Sequence, residues 1–337
     1  TRFFSLGYSL LSIIKNDPRV SLYKRSNIPE THNGIDCFLW RTVLHPVNLK
    51  MAILSSAMRL WFRKYAKRAP EILRHWIRES NTIIIESGMG IILFDLIKTI
   101  NPSAKILYIA SDDLTTIGCA TCLNEELMRR AYEFDGIRIP SLKLVPYFPP
   151  HCQLNLIPHG IDHSIKEIDA PSPYTGGINL VSVGSMLFDR EFFKIACKEM
   201  PEATFHVIGG GWKAKGLAFP NLRIYKEMPF RDTIAFIKHA NAGIAPYDMR
   251  NISPYLVDSS MKLMQYAYFG IPAICPQIVT GNHAERFGYE PGNANSIAIA
   301  IRKAIDCGHI APKNFLTWGE VTDRILNATA FPNTRVI

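Results

Sequence analysis

The run from Ala242 to Pro276, AGIAPYDMRNISPYLVDSSMKLMQYAYFGIPAICP, holds the residues whose types and spacing are best suited to chemistry. It reads as a short buried strand at Gly243–Pro246, a polar loop, a helix over about Val257–Phe269, a Gly-Ile-Pro turn and a second buried strand at Ala273–Cys275. Ser259 and Ser260 fall near the helix start, where free backbone N–H groups and the helix dipole favour an anion. Lys262 adds a mobile positive charge nearby. Met261, Met264 and Phe269 can face the sheet. N–H groups, hydroxyls and one lysine together suit a nucleotide diphosphate.

The elements that must position this run obey a repeating plan. Strands are expected at Arg2–Leu6, Asp36–Arg41, Thr82–Glu86, Lys105–Ile109 and Leu142–Val145. Helices are expected at about Ile53–Lys67, Pro70–Glu79, Ile91–Ile100 and Cys122–Phe134. TIIIES and KILYIA are continuously apolar, as parallel strands covered on both faces are. Prolines between Pro146 and Pro173 interrupt the pattern. It then restarts: NLVSVGSM, ATFHVIGGG and NLRIYKEM read as strands, and Asp189–Met200, Pro229–His239 and Asn293–Ile305 as helices. The chain is therefore α/β, with one Rossmann-like domain over about 1–165 and a second over about 166–315. The segment 316–337, containing the amphipathic TWGEVTDRILN, is expected to pack back on the first domain. Two successive βαβ domains imply a cleft, with ligands at the carboxyl ends of strands.

Four loops of the second half come directly after strands: Gly184-Ser185-Met186, Gly209-Gly210-Gly211, Glu227-Met228 and Pro246-Tyr247. Met186 and Met228 could sandwich a flat base, since polarizable sulfur packs well on π faces; core filling is the other reading of each. No G-x-G-x-x-G opens a helix in the first half, and no G-x-x-x-x-G-K-[ST] is present, so nicotinamide and P-loop chemistry are disfavoured. Gly88 and Gly90, after the strand ending at Glu86, either bring backbone close to a ligand or only make a turn.

Composition bounds the class. The 337 residues are 47% hydrophobic and 20% charged, as a packed protein requires. Apolar runs fall short of the ~18 residues that cross a bilayer. The seven cysteines are odd in number and scattered, which argues for reduced thiols. Cys119-Ala-Thr-Cys122 lacks a partner pair, so packing is preferred to a metal or redox role. Net charge is +9, and residues 1–150 carry most of it, with 20 Lys/Arg against 13 Asp/Glu. Between Arg59 and Arg78, Arg59, Arg63, Lys64, Lys67, Arg68, Arg74 and Arg78 face a single acid, Glu71. Met58, Trp61, Phe62, Tyr65, Leu73, Trp76 and Ile77 are interleaved at helical spacing. A solvated face on a core helix and a surface for anionic lipid, with Trp61, Phe62, Arg63, Lys64, Lys67 and Arg68 at the headgroups, both fit. Nucleic acid fits less well, because no recognised nucleic-acid-binding pattern accompanies the charge.

The stretches TRFFSLGYS, HNGIDCFLWRTVLHP, ASDDLTTI, GSMLFDREFF, TFHVIGGG, APY, DSSMKLMQY and RFGYEPGNA, spread along the whole chain, resemble the membrane-associated glucuronosyltransferases of xanthan- and acetan-type exopolysaccharide synthesis (glycosyltransferase family 70). The resemblance implies a GT-B fold, two Rossmann-like domains facing a central cleft, with acceptor bound by the first and UDP-sugar by the second. It implies inverting transfer of glucuronic acid from UDP-glucuronate to the mannose of a polyprenyl-diphosphate-linked oligosaccharide, with neither cofactor nor metal. The general base then falls on Asp112, in ASDDL, and the donor site on Met186, Glu227, Met228, Tyr247, Ser259, Ser260, Met261, Lys262 and Gln265. Lys262 and Arg286 are candidates to read the donor carboxylate. The family pattern also begins with a strand and helix ahead of the point that matches Thr1. A peripheral protein on the cytoplasmic face of a bacterial inner membrane is implied. Two alternatives stay open: a GT-B transferase using another UDP-hexose, and a catalytically silent lipid- or sugar-binding homologue.

Overall fold

The computed structural model describes residues 1–14, 17–49 and 55–336. Two compact units result: Thr1–Ile157 together with Asn327–Ile337, and Pro158–Leu326. The division therefore falls between Ile157 and Pro158 rather than near residue 165.

The first unit opens with β1 (Arg2–Ser9), a short α1 (Leu10–Ile14), β2 (Glu30–His32) and β3 (Ile35–Thr42). These strands form a small sheet of their own in the order β1-β3-β2, with β1 parallel to β3. Its aromatic side chains, Phe38 and Trp40, pack with Tyr65 and Trp76, carried by α2 (Ser55–Lys67) and α3 (Glu71–Glu79). The expected start of α2, at Ile53, lies outside the described residues. A parallel sheet is then built from β4 (Thr82–Glu86), α4 (Phe94–Ile100), β5 (Lys105–Ile109), α5 (Thr121–Arg130), β6 (Gly136–Ile139) and β7 (Leu154–Leu156). The bounds of β4 and β5 coincide with those read from their apolar runs. The strand expected at Leu142–Val145 is instead a 3₁₀ turn over Leu142–Tyr147 with Pro146 inside it. The strand is β6, whose four residues are all buried. Arg138 within it donates from Nε to the Ile157 carbonyl at 2.7 Å, and that bond permits a charge in a covered strand.

The second unit runs β8 (Ile178–Val183), α6 (Arg190–Glu199), β9 (Ala203–Ile208), α7 (Gly211–Ala214), β10 (Leu222–Tyr225), α8 (Phe230–Lys238), β11 (Ala242–Ile244), α9 (Leu256–Ser259), α10 (Met261–Tyr268), β12 (Ala273–Pro276), β13 (Arg286–Tyr289), α11 (Ala294–Cys307) and α12 (Trp318–Leu326). Strand order is β10-β9-β8-β11-β12-β13, all parallel. This is the doubly wound order, reversing direction between β8 and β11. One face is covered by α6 and α11 over Leu180, Phe205 and Ile274. The other is covered by α8 and α10 over Val181, Ala245 and Cys275. Gly243 in β11 admits α10 closely: a Cβ there would meet the Tyr266 ring at 2.4 Å. The Tyr266 hydroxyl donates toward the Val181 and Ile244 carbonyls, at 3.1 and 3.2 Å.

Two local departures matter. The helix expected over Val257–Phe269 is broken at Ser260, whose backbone is extended (φ −70°, ψ 106°) between α9 and α10. The segment before α12 is tied within the second unit by Ile161 N–H to the Leu316 carbonyl at 2.8 Å. Only the residues beyond α12 rejoin the first unit, where β14 (Arg335–Val336) pairs antiparallel with β7.

Candidate functional site

The switch point between β8 and β11 is where a doubly wound sheet opens to ligands. The chain leaves β8 through Gly184 (φ 89°) and the exposed Ser185 and Met186, then turns at Leu187 with φ 51°. A left-handed leucine costs about 1–2 kcal/mol. It is held by an Asp248 N–H to Leu187 carbonyl bond and an Asp189 N–H to Pro246 carbonyl bond, both 2.7 Å. Phe188 and Tyr247 form an isolated antiparallel bridge between them. The loops after β8 and β11 are thereby sewn into one wall.

The break at Ser260 lies against the Tyr247 side chain of that wall. Ser260 caps α10, its Oγ accepting the Leu263 N–H at 3.2 Å and lying 2.5 Å from the Tyr247 hydroxyl. Ser259 Oγ donates to the Tyr255 carbonyl at 2.9 Å. Both hydroxyls have partners within the protein in this ligand-free chain. The available donors are the N–H groups of Met261 and Lys262, which bond to nothing among the described residues. The Lys262 residue is half-buried, yet Nζ itself is occluded, has no hydrogen-bond partner and lies 5.6 Å from the Tyr247 ring centre. Desolvation pulls its pKa down to about 8. Two free N–H groups and a charged ammonium at one helix start make a receptor for an oxyanion.

The remaining donor-site candidates separate by environment. Met186 is 60% exposed, whereas Met228 is partly buried against the core under α8 and α10. Met261 is half-buried and packs against the cluster that holds Ile161, Ile165 and Met264. Glu227 is exposed, and a Cβ on Gly209 would lie 3.8 Å from its Cα, so the loops after β9 and β10 adjoin. Gln265 is half-buried. Sequence reasoning passed over Trp212, 75% exposed just after the triple-glycine turn, and over Lys213. Lys213 Nζ stands 3.7 Å from Asp248, whose carboxylate Arg250 binds at 2.6 Å and holds down at a pKa of about 2. Arg286 donates from Nη1 to the carbonyls of Val257 (2.6 Å) and Val279 (3.0 Å), so much of its binding capacity is used in bracing α9.

In the first unit, Asp112 and Asp113 come just after β5 and have different surroundings. Asp113 is buried and accepts from the Thr116 N–H at 2.8 Å and from the Thr115 and Thr116 hydroxyls. The turn-capping role that any aspartate here could have played thus belongs to Asp113. Asp112 is half-buried, and its backbone is fixed by Ser87, whose hydroxyl donates to the Asp112 carbonyl at 3.0 Å.

The chain is similar to known proteins. Residues 1–140 match the family described as glucuronosyltransferase GumK, N-terminal domain. The whole chain is 44% identical over 336 residues to UDP-glucuronate:glycolipid 2-beta-glucuronosyltransferase of Xanthomonas campestris pv. campestris, covering 84% of that protein. The chain belongs to the GumK glucuronosyltransferase family. Among solved structures, sucrose-phosphate synthase of Thermosynechococcus elongatus superposes with a TM-score of 0.63 at 11% identity, over 98% of this chain and 99% of that one. An α,α-trehalose-phosphate synthase of Burkholderia xenovorans gives 0.60 at 10% identity, over 98% and 95%. The GumK-family fold is therefore GT-B.

The lipid-facing set expected on α2 of this GumK-family chain is not all at the surface. Arg63, Lys64, Lys67 and Arg68 are exposed and Trp61 is half-buried, but Phe62 is only 3% exposed. Helical spacing places Phe62 with Met58, Tyr65 and Ala66 on the inward face, away from any headgroups. The apolar residue presented among the basic ones is Leu60, 54% exposed.

Proposed function

We propose that the chain transfers glucuronic acid from UDP-glucuronate to the mannose of a polyprenyl-diphosphate-linked oligosaccharide, with inversion and without a metal ion. The observation that carries this reading is the unpartnered Lys262 ammonium beside two free N–H groups at the start of α10. Membership of the GumK family supports the choice of donor, since the Xanthomonas relative is named for UDP-glucuronate and a glycolipid.

The donor's diphosphate lies at the N-terminus of α10, with Glu227 toward the ribose and Met186 toward the base. Asp112 acts as general base. The acceptor hydroxyl oxygen bonds to the anomeric carbon, the bond to UDP breaks with its electron pair staying on the diphosphate, and the hydroxyl proton passes to Asp112. Lys262 and the α10 N–H groups stabilise the charge that builds on the departing diphosphate, the part a divalent cation plays elsewhere. The protein works peripherally at the cytoplasmic face of a bacterial inner membrane; among the described residues no helix is long and apolar enough to cross one.

The test is transfer to a synthetic mannosyl-glucosyl-glucose lipid. Asp112→Asn is expected to lower kcat about 10²–10⁴-fold while calorimetry shows unchanged UDP affinity. A fully active Asp112→Asn protein would falsify the assigned base.

A further inference from the structure

Among the described residues, three cationic nitrogens are buried without a hydrogen-bond partner: Lys262 Nζ, Arg190 Nε and Arg286 Nε. All belong to the second unit, and two of them surround Tyr247. Lys262 faces the Tyr247 ring, and the Arg286 charge acts on the Tyr247 hydroxyl. Arg190 comes two positions after the Phe188–Tyr247 bridge, at the β8 side of the switch point. Arg286 still has the Val257 and Val279 carbonyls. The Arg190 side chain has no hydrogen bond or ion pair with any described residue.

Its position makes that isolation costly. Arg190 is the first residue of α6, directly after the cap Asp189, whose carboxylate accepts the Glu191 N–H at 2.9 Å. A helix start carries positive potential and prefers acids, so a guanidinium there is opposed by the dipole. The residue is also half-buried, with Nε occluded. A cation placed against the helix dipole at a ligand-binding edge is stabilised when an anion arrives.

We infer that Arg190 receives the carboxylate of the donor's uronic acid and sets the preference of this site for UDP-glucuronate over neutral UDP-hexoses. This rests on the donor reading above. Lys262 and the α10 N–H groups already supply the diphosphate. UDP-glucuronate brings one negative charge more than UDP-glucose, and that charge sits on the hexose. A planar guanidinium offers paired donors that match a carboxylate.

Calorimetric titration of the full chain with UDP, UDP-glucuronate and UDP-glucose separates the two anionic groups. The native protein is expected to favour UDP-glucuronate over UDP-glucose. Arg190→Met should reduce that preference about ten- to a hundred-fold with the Kd for UDP unchanged and the Tm no lower than native. Arg190→Lys, which keeps charge without the fork, should lose part of the preference and covers the case of a poorly folding Met variant. Equal weakening of UDP and UDP-glucuronate would hand the guanidinium to the diphosphate and overturn the assignment. An unaltered preference, or none in the native protein, overturns it too. Failure of the native protein to bind UDP at all defeats instead the donor reading on which it rests.

Discussion

Lys262 is retained where the ligand-free fold would be more stable without its charge. Its pKa falls from 10.5 to about 8 on folding because the ammonium is desolvated. The unfolded chain therefore binds more protons between those values, so the lysine's contribution is unfavourable below about pH 8 and relaxes as pH rises toward 10.5. Lys262→Met should raise ligand-free stability at pH 7 by about 1–3 kcal/mol while weakening UDP about ten- to a hundred-fold. Native UDP affinity should also fall as pH rises past 8, and the Met variant should lack that dependence. Thermal unfolding and titration across pH 6.5–9.5 check all three; a Met variant both less stable and unchanged for UDP would refute the account. The lysine's placement was legible from D-S-S-M-K at a helix start. The serine roles were not, because the extended backbone at Ser260 decides which groups cap and which stay free. Asp112 and Asp113 were likewise inseparable as neighbours until the threonine bonds to Asp113 distinguished them.

Between elements, the receptor depends on how closely α10 approaches β11. Tyr266 lies directly over Gly243, and its hydroxyl is bound at both β8 and β11. It cannot tilt away without breaking those bonds. Gly243→Ala should therefore push α10 outward, costing about 1–3 kcal/mol and weakening UDP, because the Met261 and Lys262 N–H groups move with the helix. Unfolding and UDP titration of the same variant report the two effects; intact UDP affinity in a clearly destabilised protein would disconnect packing from the site. Legibility at this scale tracked chemical uniformity. TIIIE and KILYI were bounded correctly because a buried parallel strand is apolar throughout. GIRI was missed because Arg138 disguised it, its partner carbonyl at Ile157 being distant in sequence. Phe62 was assigned to the wrong face because a basic aromatic helix does not announce which of its aromatics meet the rest of the protein.

At the scale of the molecule, the GT-B chain folds as two units, and the first holds most of the positive charge. That asymmetry bears on the proposed lipid-anchored acceptor. On α2, Leu60, Arg63, Lys64 and Lys67 share an exposed face, with Arg68 just beyond the helix end. Of the neighbouring charges, Arg59 is paired with Glu125, but Arg63, Lys64, Lys67 and Arg68 have no acidic partner among the described residues. Unpaired surface cations are attracted to anionic headgroups at roughly 1 kcal/mol each and are screened within a Debye length. Changing these four residues together to glutamine should lower partitioning onto phosphatidylglycerol vesicles at least about tenfold, leave binding to neutral phosphatidylcholine unaltered, and leave UDP affinity untouched. Rising salt should bring the native protein toward the variant. Leu60→Ser should weaken binding less and without salt dependence, since it removes apolar contact rather than charge. Co-sedimentation across a salt series distinguishes these outcomes. If the four-glutamine protein partitions like the native one, the basic face of α2 is only a solvated surface.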